Sequence, residues 1–219
     1  MPQDKVNANL QPLSNRIIPL FLEEKLDPVQ AHFWAAKAFL RFSGAGALDR
    51  GIYSIYIFNL LKLQRGEAIF QDSGVPHAYL EGQNVEIMAS SDNVLRGGLT
   101  NKPVNVPELL KHVQCEATHP EILRGENKGN ELVYKTPAPD FELSCFKLNK
   151  GAREKITTRT AEVFLLVEGE IGIEDKNNSI ILKKGQPSAL ALAGNELQVT
   201  ANESAWFFKA SVPNPRVSK

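Results

Sequence analysis

The sequence predicts a mainly β protein with an N-terminal helical segment. Three observations predict this class. The first part of the chain has the apolar period of an amphipathic helix, and β-branched and aromatic runs follow Gly51. The C-terminal third has short apolar runs at roughly 8–12-residue spacing, which is typical of a sandwich or a jelly roll.

The N-terminal helical segment is predicted from its start signal and its apolar face. Residues 27–30 (Asp-Pro-Val-Gln) combine a cap residue, a proline at the first helical position and a glutamine that can close a capping box. Val29, Phe33, Ala36 and Leu40 then follow at helical spacing and predict one buried face on a helix over residues 28–42. Glycines at 44 and 46 end this helix, and the apolar residues 17–22 indicate a helix before it.

The middle of the chain is predicted as short strands separated by glycine and asparagine turns, followed by a polar loop over residues 91–102. Asn105 starts a short helix through Leu110 by the same capping logic. The predicted strands in this part cover residues 52–63, 68–70, 79–80 and 85–89.

The rest of the chain is predicted as a polar connector over residues 118–139 and then a strand-rich block. The six strands predicted in that block cover residues 141–148, 161–168, 179–182, 188–192, 196–200 and 205–210.

Charge and cysteine content exclude several classes of function. Lys plus Arg and Asp plus Glu both number 25, so the chain lacks the basic excess that general nucleic-acid or electrostatic membrane binding needs. Cys115 and Cys145 have no Cys-x-x-Cys spacing, which fits a reducing compartment. The apolar runs are about half a membrane span, and residues 1–15 have no signal-peptide core. We therefore expect a cytoplasmic protein that binds neither nucleic acid nor membrane.

Residues 74–102 carry the most specific pattern. It reads Gly-Val-Pro-His-Ala-Tyr-Leu-Glu-Gly from residue 74, then Glu-Ile-Met-Ala from 86, then Ser-Asp-Asn-Val-Leu-Arg-Gly-Gly-Leu-Thr-Asn-Lys from 91. Asp-Arg-Gly at 49–51, Asn59 and Leu-Gln-Arg-Gly-Glu at 63–67 precede it. From about residue 49 to 112 the chain resembles the type I phosphomannose isomerases (mannose-6-phosphate isomerases), in their C-terminal half only.

The resemblance implies a fold of cupin-type jelly rolls, one partial and one complete. The segments would be a helical segment (1–48), a partial zinc-type cupin with the signature motif (49–117), a connector (118–139) and a C-terminal cupin (140–219). In the last segment, residues 156–162 stand where metal-binding cupins place His-x-His and contain no histidine. We therefore expect that cupin to be metal-free and structural.

The family's zinc is held by the glutamine and histidine of a Gln-x-His strand, a glutamate, and the histidine of Pro-His-Ala-Tyr. Only the last matches here, as His77, and the resemblance places the other ligands in the N-terminal half of the family sequence. One imidazole cannot hold zinc, so we expect this chain alone not to retain the metal. Gln30 and His32 also read as Gln-x-His, but on the predicted helix they face different directions. His112 and His119 are more simply explained as surface residues.

The resemblance also implies roles for the remaining candidate site residues. The structural alternatives are that Arg96 only caps backbone carbonyls and that Lys102 is an ordinary solvated lysine. Arg96 would stabilise an anionic enediolate or clamp a phosphate, and Lys102 would meet the substrate's phosphate or hydroxyls. Tyr79 shares a face with His77 if both lie on one strand; the alternative is a core aromatic. Glu86 is a candidate proton carrier or a partner that fixes Lys102 and Arg96. Asp92 is a weaker site member or only a turn residue.

Full members of the family interconvert mannose 6-phosphate and fructose 6-phosphate through a cis-enediol. Whether this chain is itself an enzyme stays open between three readings. It is part of an isomerase that works with a separately made N-terminal half, a non-catalytic protein that binds a phosphorylated hexose, or a structural remnant. A homodimer that covers the open side of the partial cupin is a further expectation.

Overall fold

The computed structural model describes residues 1–44, 46–91 and 94–213. The described residues form four helices, all before residue 113: α1 (Gln3–Leu22), α2 (Ala31–Phe42), α3 (Ile52–Ile57) and α4 (Val106–His112). The strands are β1 (Ala68–Ile69), β2 (Ile122–Leu123), β3 (Glu126–Lys128), β4 (Glu131–Tyr134), β5 (Glu142–Leu148), β6 (Arg153–Thr157), β7 (Glu162–Glu168), β8 (Glu170–Glu174), β9 (Ser179–Lys183), β10 (Ala189–Ala191), β11 (Glu196–Ala201) and β12 (Ala205–Ser211).

The chain divides into two compact units, and segments of the two units alternate along the sequence. The helical unit comprises residues 1–64, 71–84 and 92–121, and the sheet unit comprises residues 65–70, 85–91 and 122–219. This division differs from the four consecutive segments that the sequence predicts. Two short pieces of the segment predicted as a partial cupin, residues 65–70 and 85–91, belong to the sheet unit.

The helical unit has its own apolar core. Val6 and Ile17 of α1, Ala35 and Phe39 of α2, and Ile52 of α3 are buried in one cluster. Burial of this kind of surface is what stabilises a short helix in water, because helix propensity alone is too weak. No helix of the described residues is long and apolar enough to cross a membrane.

Helix α2 is present but begins later than predicted, and it buries another face. The Asp27 carboxylate accepts a hydrogen bond from the Val29 backbone N–H at 2.9 Å, so it closes a turn, and Gln30 becomes the N-cap. The side chains of Val29 and Leu40, predicted to be buried, are 64% and 51% exposed. Ala36 is buried as predicted, but Ala35 and Phe39, and not Val29 and Leu40, complete the buried face.

The strand predictions between residues 52 and 90 are mostly wrong. Residues 52–57 form α3, because Ile52 fits into the helical core and this packing overrides the β preference of its neighbours. Residues 79–80 and 85–89 have no regular secondary structure, and only β1 matches its prediction. Residues 49–117, predicted as a partial jelly roll, thus contain two short helices and one two-residue strand among those described.

The sheet unit contains two larger antiparallel sheets. The six-stranded sheet has the order β10-β7-β12-β5-β4-β3, and the four-stranded sheet has the order β6-β11-β8-β9. Phe146, Phe164 and Phe207 of the first sheet pack with Ile171 and Val199 of the second in one core. The rings of Phe146 and Phe207 stack with centroids 4.8 Å apart.

All six strands predicted after residue 140 are confirmed within one or two residues at each end. The prediction missed β6 and β8, and it took β2, β3 and β4 as connector. Gly129, with a φ of +69°, and Asn130 form the two-residue turn of a β3–β4 hairpin, with Lys128 paired to Glu131. A Gly-Asn pair favours a hairpin turn, but the Glu-Asn-Lys run before it is polar, so the sequence did not mark β3 as a strand.

The outer face of the six-stranded sheet carries a second apolar cluster. Its buried members are Tyr134, Cys145 and Phe208. Ala68 of β1 and Val85 pack against them. Residues 65–70 and 85–91 therefore pack against this face of the sheet.

Candidate substrate-binding loops

Two irregular loops hold four of the six predicted site residues. We call residues 71–84 the histidine loop and residues 94–105 the arginine loop; both belong to the helical unit. Arg96, Lys102, His77 and Tyr79 all expose their side chains to solvent. Exposure of four chemically active side chains on loops without regular structure is typical of a binding surface.

The base of the histidine loop is fixed to the end of α4. The backbone N–H of Gln114 donates to the Gly74 carbonyl at 2.9 Å, and its side-chain amide donates to the Ser73 carbonyl at 3.0 Å. Gly74 has a φ of +77°, and a Cβ there would lie 2.7 Å from the His112 carbonyl oxygen. The turn therefore requires glycine at position 74.

His77 is oriented by its own backbone. Its Nδ1 lies 3.0 Å from the Val75 carbonyl oxygen. Because a carbonyl oxygen only accepts, Nδ1 carries the proton in this contact, and Nε2 of the neutral ring keeps its lone pair. Histidine ligands of metals commonly use the second nitrogen in this way. This orientation agrees with a ligand role, which stays a prediction.

Tyr79 lies near His77, although for another reason than the one predicted. No strand joins the two residues, yet their ring centroids are 5.9 Å apart. The tyrosine is 60% exposed, so the alternative of a core aromatic is wrong.

The arginine loop is fixed by a carboxylate fifty residues earlier in the chain. The Asp49 carboxylate accepts hydrogen bonds from the backbone N–H groups of Gly51 at 2.6 Å and Leu99 at 3.4 Å. A Cβ at Gly51 would lie 2.8 Å from the Leu99 nitrogen, so glycine allows the two backbones to meet. Gly98 comes equally close, since a Cβ there would lie 3.0 Å from the Gly51 Cα. This contact holds the backbone two residues after Arg96.

The remaining candidates lie apart from this anchor. The Lys102 backbone N–H donates to the Thr100 hydroxyl at 3.1 Å, which orders the end of the loop. Glu86 is exposed and belongs to the sheet unit, and the strand predicted for it is absent. Asp92 lies outside the described residues.

The described residues do not fit a zinc site by themselves. No group of three or more His, Cys, Asp or Glu side chains among them could hold a metal ion. His32 contacts the Tyr56 hydroxyl through Nδ1 at 2.9 Å and lies at the start of α2, so the Gln-x-His pattern there is structural. His112 lies 2.9 Å from Glu108, whose pKa is lowered first by a hydrogen bond from Lys111 and then by His112.

Sequence reasoning missed the residues that hold the loops in place. Asp49 and Gly51 belong to the Asp-Arg-Gly motif, but no local sequence pattern indicates that they contact the backbone at Leu99. Gln114 carries no sequence signal of its contact with residues 73–74. Long-range contacts to backbone atoms leave no periodic trace in a single sequence.

No protein-family model matches the sequence. The mannose-6-phosphate isomerase of Escherichia coli is 37% identical over 154 residues, which are 69% of this chain and 39% of that protein. The mouse mannose-6-phosphate isomerase is 34% identical over 172 residues, 75% of this chain and 39% of that protein. The chain thus spans about two fifths of the length of the curated relatives it matches.

Solved structures agree with the sequence comparison. A single-residue variant of phosphomannose isomerase from Salmonella typhimurium matches with a TM-score of 0.67 at 28% identity. The match covers 92% of this chain and 55% of that one. The chain is therefore similar in sequence and in fold to part of the length of the mannose-6-phosphate isomerases.

Proposed function

We propose that this chain supplies substrate-contacting loops for the interconversion of mannose 6-phosphate and fructose 6-phosphate. One observation carries the proposal. A chain 37% identical to a mannose-6-phosphate isomerase holds its signature loops by backbone anchors and exposes Arg96, Lys102 and His77 from them. Fixed loops with exposed cations suit an anionic sugar ligand, because pre-ordering lowers the entropy lost on binding.

In the proposed reaction a proton moves from C2 of the aldose to C1, and the hydroxyl proton on O2 moves to O1. Each proton leaves one atom of the sugar and binds the neighbouring carbon or oxygen of the same molecule. The reaction therefore consumes no other reactant. Arg96 would stabilise the negative charge of the enediolate or hold the phosphate. Lys102 and Tyr79 would contact phosphate or hydroxyl oxygens, and Asp92 would support them. Glu86 is the candidate for carrying the proton or for fixing the cations.

The family's zinc would bind through His77 together with ligands that the described residues do not provide. We therefore assign no step to the metal. We propose that any catalysis needs the remaining part of the family sequence to complete the site. We propose further that residues 140–219 form a complete, metal-free jelly roll and that the protein acts in the cytoplasm.

A non-catalytic, sugar-phosphate-binding role is the second candidate. It is favoured by the lack of a metal-binding group among the described residues. The two candidates share the phosphate-binding role of Arg96 and differ in turnover. A coupled assay on mannose 6-phosphate separates them: the chain alone should turn over negligibly, and adding the remaining portion of an Escherichia coli relative should restore activity. Failure to gain activity would favour the binding role.

Calorimetry with mannose 6-phosphate tests what both candidates share. Arg96→Ala removes a charge-assisted contact worth about 1.5–3 kcal/mol, so affinity should fall about 10-fold to 150-fold. Arg159→Ala is the matched control, because Arg159 is also exposed but lies on the sheet unit, and its affinity should equal that of the wild type. Equal affinities for wild type and Arg96→Ala, or no binding by either, would contradict the proposal.

A further inference from the structure

We propose that the six-stranded sheet positions the histidine loop, with Tyr134, Arg65 and Trp206 acting as positioning residues. The inference rests on the proposed function for its consequence on substrate, but its structural part stands on contacts within the sheet unit. We call residues 65–70 and 85–91 the stem segments. The histidine loop starts directly after the first stem segment and ends directly before the second.

The first contact is a buried hydrogen bond to the start of the first stem segment. The Tyr134 hydroxyl donates to the Gly66 carbonyl at 2.8 Å, and Tyr134 is only 3% exposed. Burial, with help from the neighbouring Cys145 thiol, raises the pKa of Tyr134, so the hydroxyl stays protonated and donates throughout the physiological range. Gly66 has a φ of +90°, which lets the chain turn there.

The second contact is a minimal β ladder. In β1, Ala68 and Ile69 pair with Leu123 and Ile122 of β2. Two paired residues are too few to be stable alone in water. Ala68 and Leu123 also pack against the cluster of buried residues around Tyr134, so the ladder is stabilised by the face of the six-stranded sheet.

The third contact is a cation over an aromatic ring. The Arg65 guanidinium lies 4.4 Å from the centroid of the Trp206 ring and pairs with the Glu168 carboxylate. Both partners are on strands of the six-stranded sheet, Glu168 on β7 and Trp206 on β12. The ion pair is exposed and contributes little alone, but the arginine over the aromatic ring fixes one direction for the first stem segment.

The second stem segment rests on the same cluster. Val85 packs against the residues around Tyr134, and the next residue in the chain is Glu86. Both ends of the histidine loop are therefore held on one surface, and fixing both ends lowers the conformational entropy of the loop between them. This arrangement gives the stem segments a role in orienting His77 and Tyr79.

The test compares Tyr134→Phe and Arg65→Ala with the wild-type chain by backbone amide hydrogen exchange. Tyr134→Phe keeps the ring and removes one hydrogen bond, so exchange over residues 66–84 should become about 3-fold to 10-fold faster. Exchange in the β8–β9 hairpin should not change. Arg65→Lys, which keeps the cation over Trp206, should restore part of the protection lost in Arg65→Ala. Lys183→Ala, which breaks an exposed pair with Glu170 on the other sheet, is the matched control and should leave the loop unchanged.

Unchanged exchange over residues 71–84 in both variants would overturn the inference. Equal acceleration in the loop and in β8–β9 would overturn it too, because it would show general destabilisation. A parallel titration with mannose 6-phosphate should give affinities about 2-fold to 10-fold weaker for both variants. The titration of the wild-type chain with mannose 6-phosphate tests the proposed function. Hydrogen exchange tests the positioning role, so the two proposals can fail independently.

Discussion

The loops of the signature region and the two large sheets of the C-terminal part are held in different ways. In the sheets, every second side chain enters the core, as Phe207 and Ala205 do on β12. In the loops, the contacts that decide the shape join backbone atoms to distant groups, as Asp49 does with Leu99. The sheets are specified by a repeating pattern, and the loops by single residues that cannot be exchanged.

This difference determines where substitutions act. A change in the sheet core removes apolar contacts that many neighbours share, so the whole unit loses stability. A change at a loop anchor disturbs a few residues and leaves the core intact. Stability and ligand binding should therefore respond to different substitutions.

Phe207→Ala should have the largest effect on stability. Phe207 is fully buried and stacks on Phe146, and phenylalanine-to-alanine changes in cores cost about 3–5 kcal/mol. The free energy of unfolding, measured by denaturant titration, should fall by that amount. Leu190→Ala, at a residue 66% exposed on β10, should stay within about 0.5 kcal/mol of the wild type. Similar losses at both positions would show that the core does not lie between the two sheets.

The predictability of the fold follows the same division. In strand β7, buried and more exposed residues alternate, and strand β12 begins with a dense apolar run. The sequence predicted both strands. Strand β6 was missed because it is an edge strand whose only buried residue is Ile156. Helix α3 was predicted as a strand because its β-branched residues carry no sign of the helical core that receives Ile52.

Gly98→Ala should have an intermediate effect that is confined to the arginine loop. Gly98 has a φ of +152°, and a methyl group there would meet Gly51, so the loop must shift at a cost of about 1–3 kcal/mol. Gly97→Ala is the matched control, since its Cβ would meet only a Leu109 methyl at 3.9 Å. Affinity for mannose 6-phosphate should fall for Gly98→Ala and change little for Gly97→Ala. Equal losses would mean that the Asp49–Leu99 anchor does not orient Arg96.

The sequence named candidate site residues, but it did not predict the architecture that holds them. His77, Tyr79, Arg96 and Lys102 were named from the resemblance, and the structure exposes all four from two loops. Nothing in the sequence showed that Gly98 must approach Gly51. Proximity of residues fifty positions apart depends on the packed fold, which a single sequence shows only through its local patterns.

The smallest expected effect concerns the polar end of the sheet core. Glu131 on β4 accepts hydrogen bonds from the Ser144 hydroxyl at 2.6 Å and from the Lys209 ammonium at 2.7 Å. Burial raises the pKa of Glu131, but the hydrogen bonds from Lys209 and Ser144 outweigh it and hold the pKa below the usual 4.5. The ionised carboxylate therefore stabilises the fold.

Glu131→Gln should lower the free energy of unfolding by about 1 kcal/mol at pH 7, because the amide oxygen still accepts hydrogen bonds but the charge opposite Lys209 is lost. A lowered pKa in the folded state means that the stabilisation is complete above pH 4.5 and disappears as the pH falls through the folded-state value. The difference between wild type and variant should thus be constant from pH 7 to about pH 5 and narrow below pH 4.5. Denaturant titrations across this range measure it directly. A difference that stays constant down to pH 3 would show that Glu131 contributes through packing and not through its charge. The polar end of the core would then be stabilised by packing, as its apolar centre is.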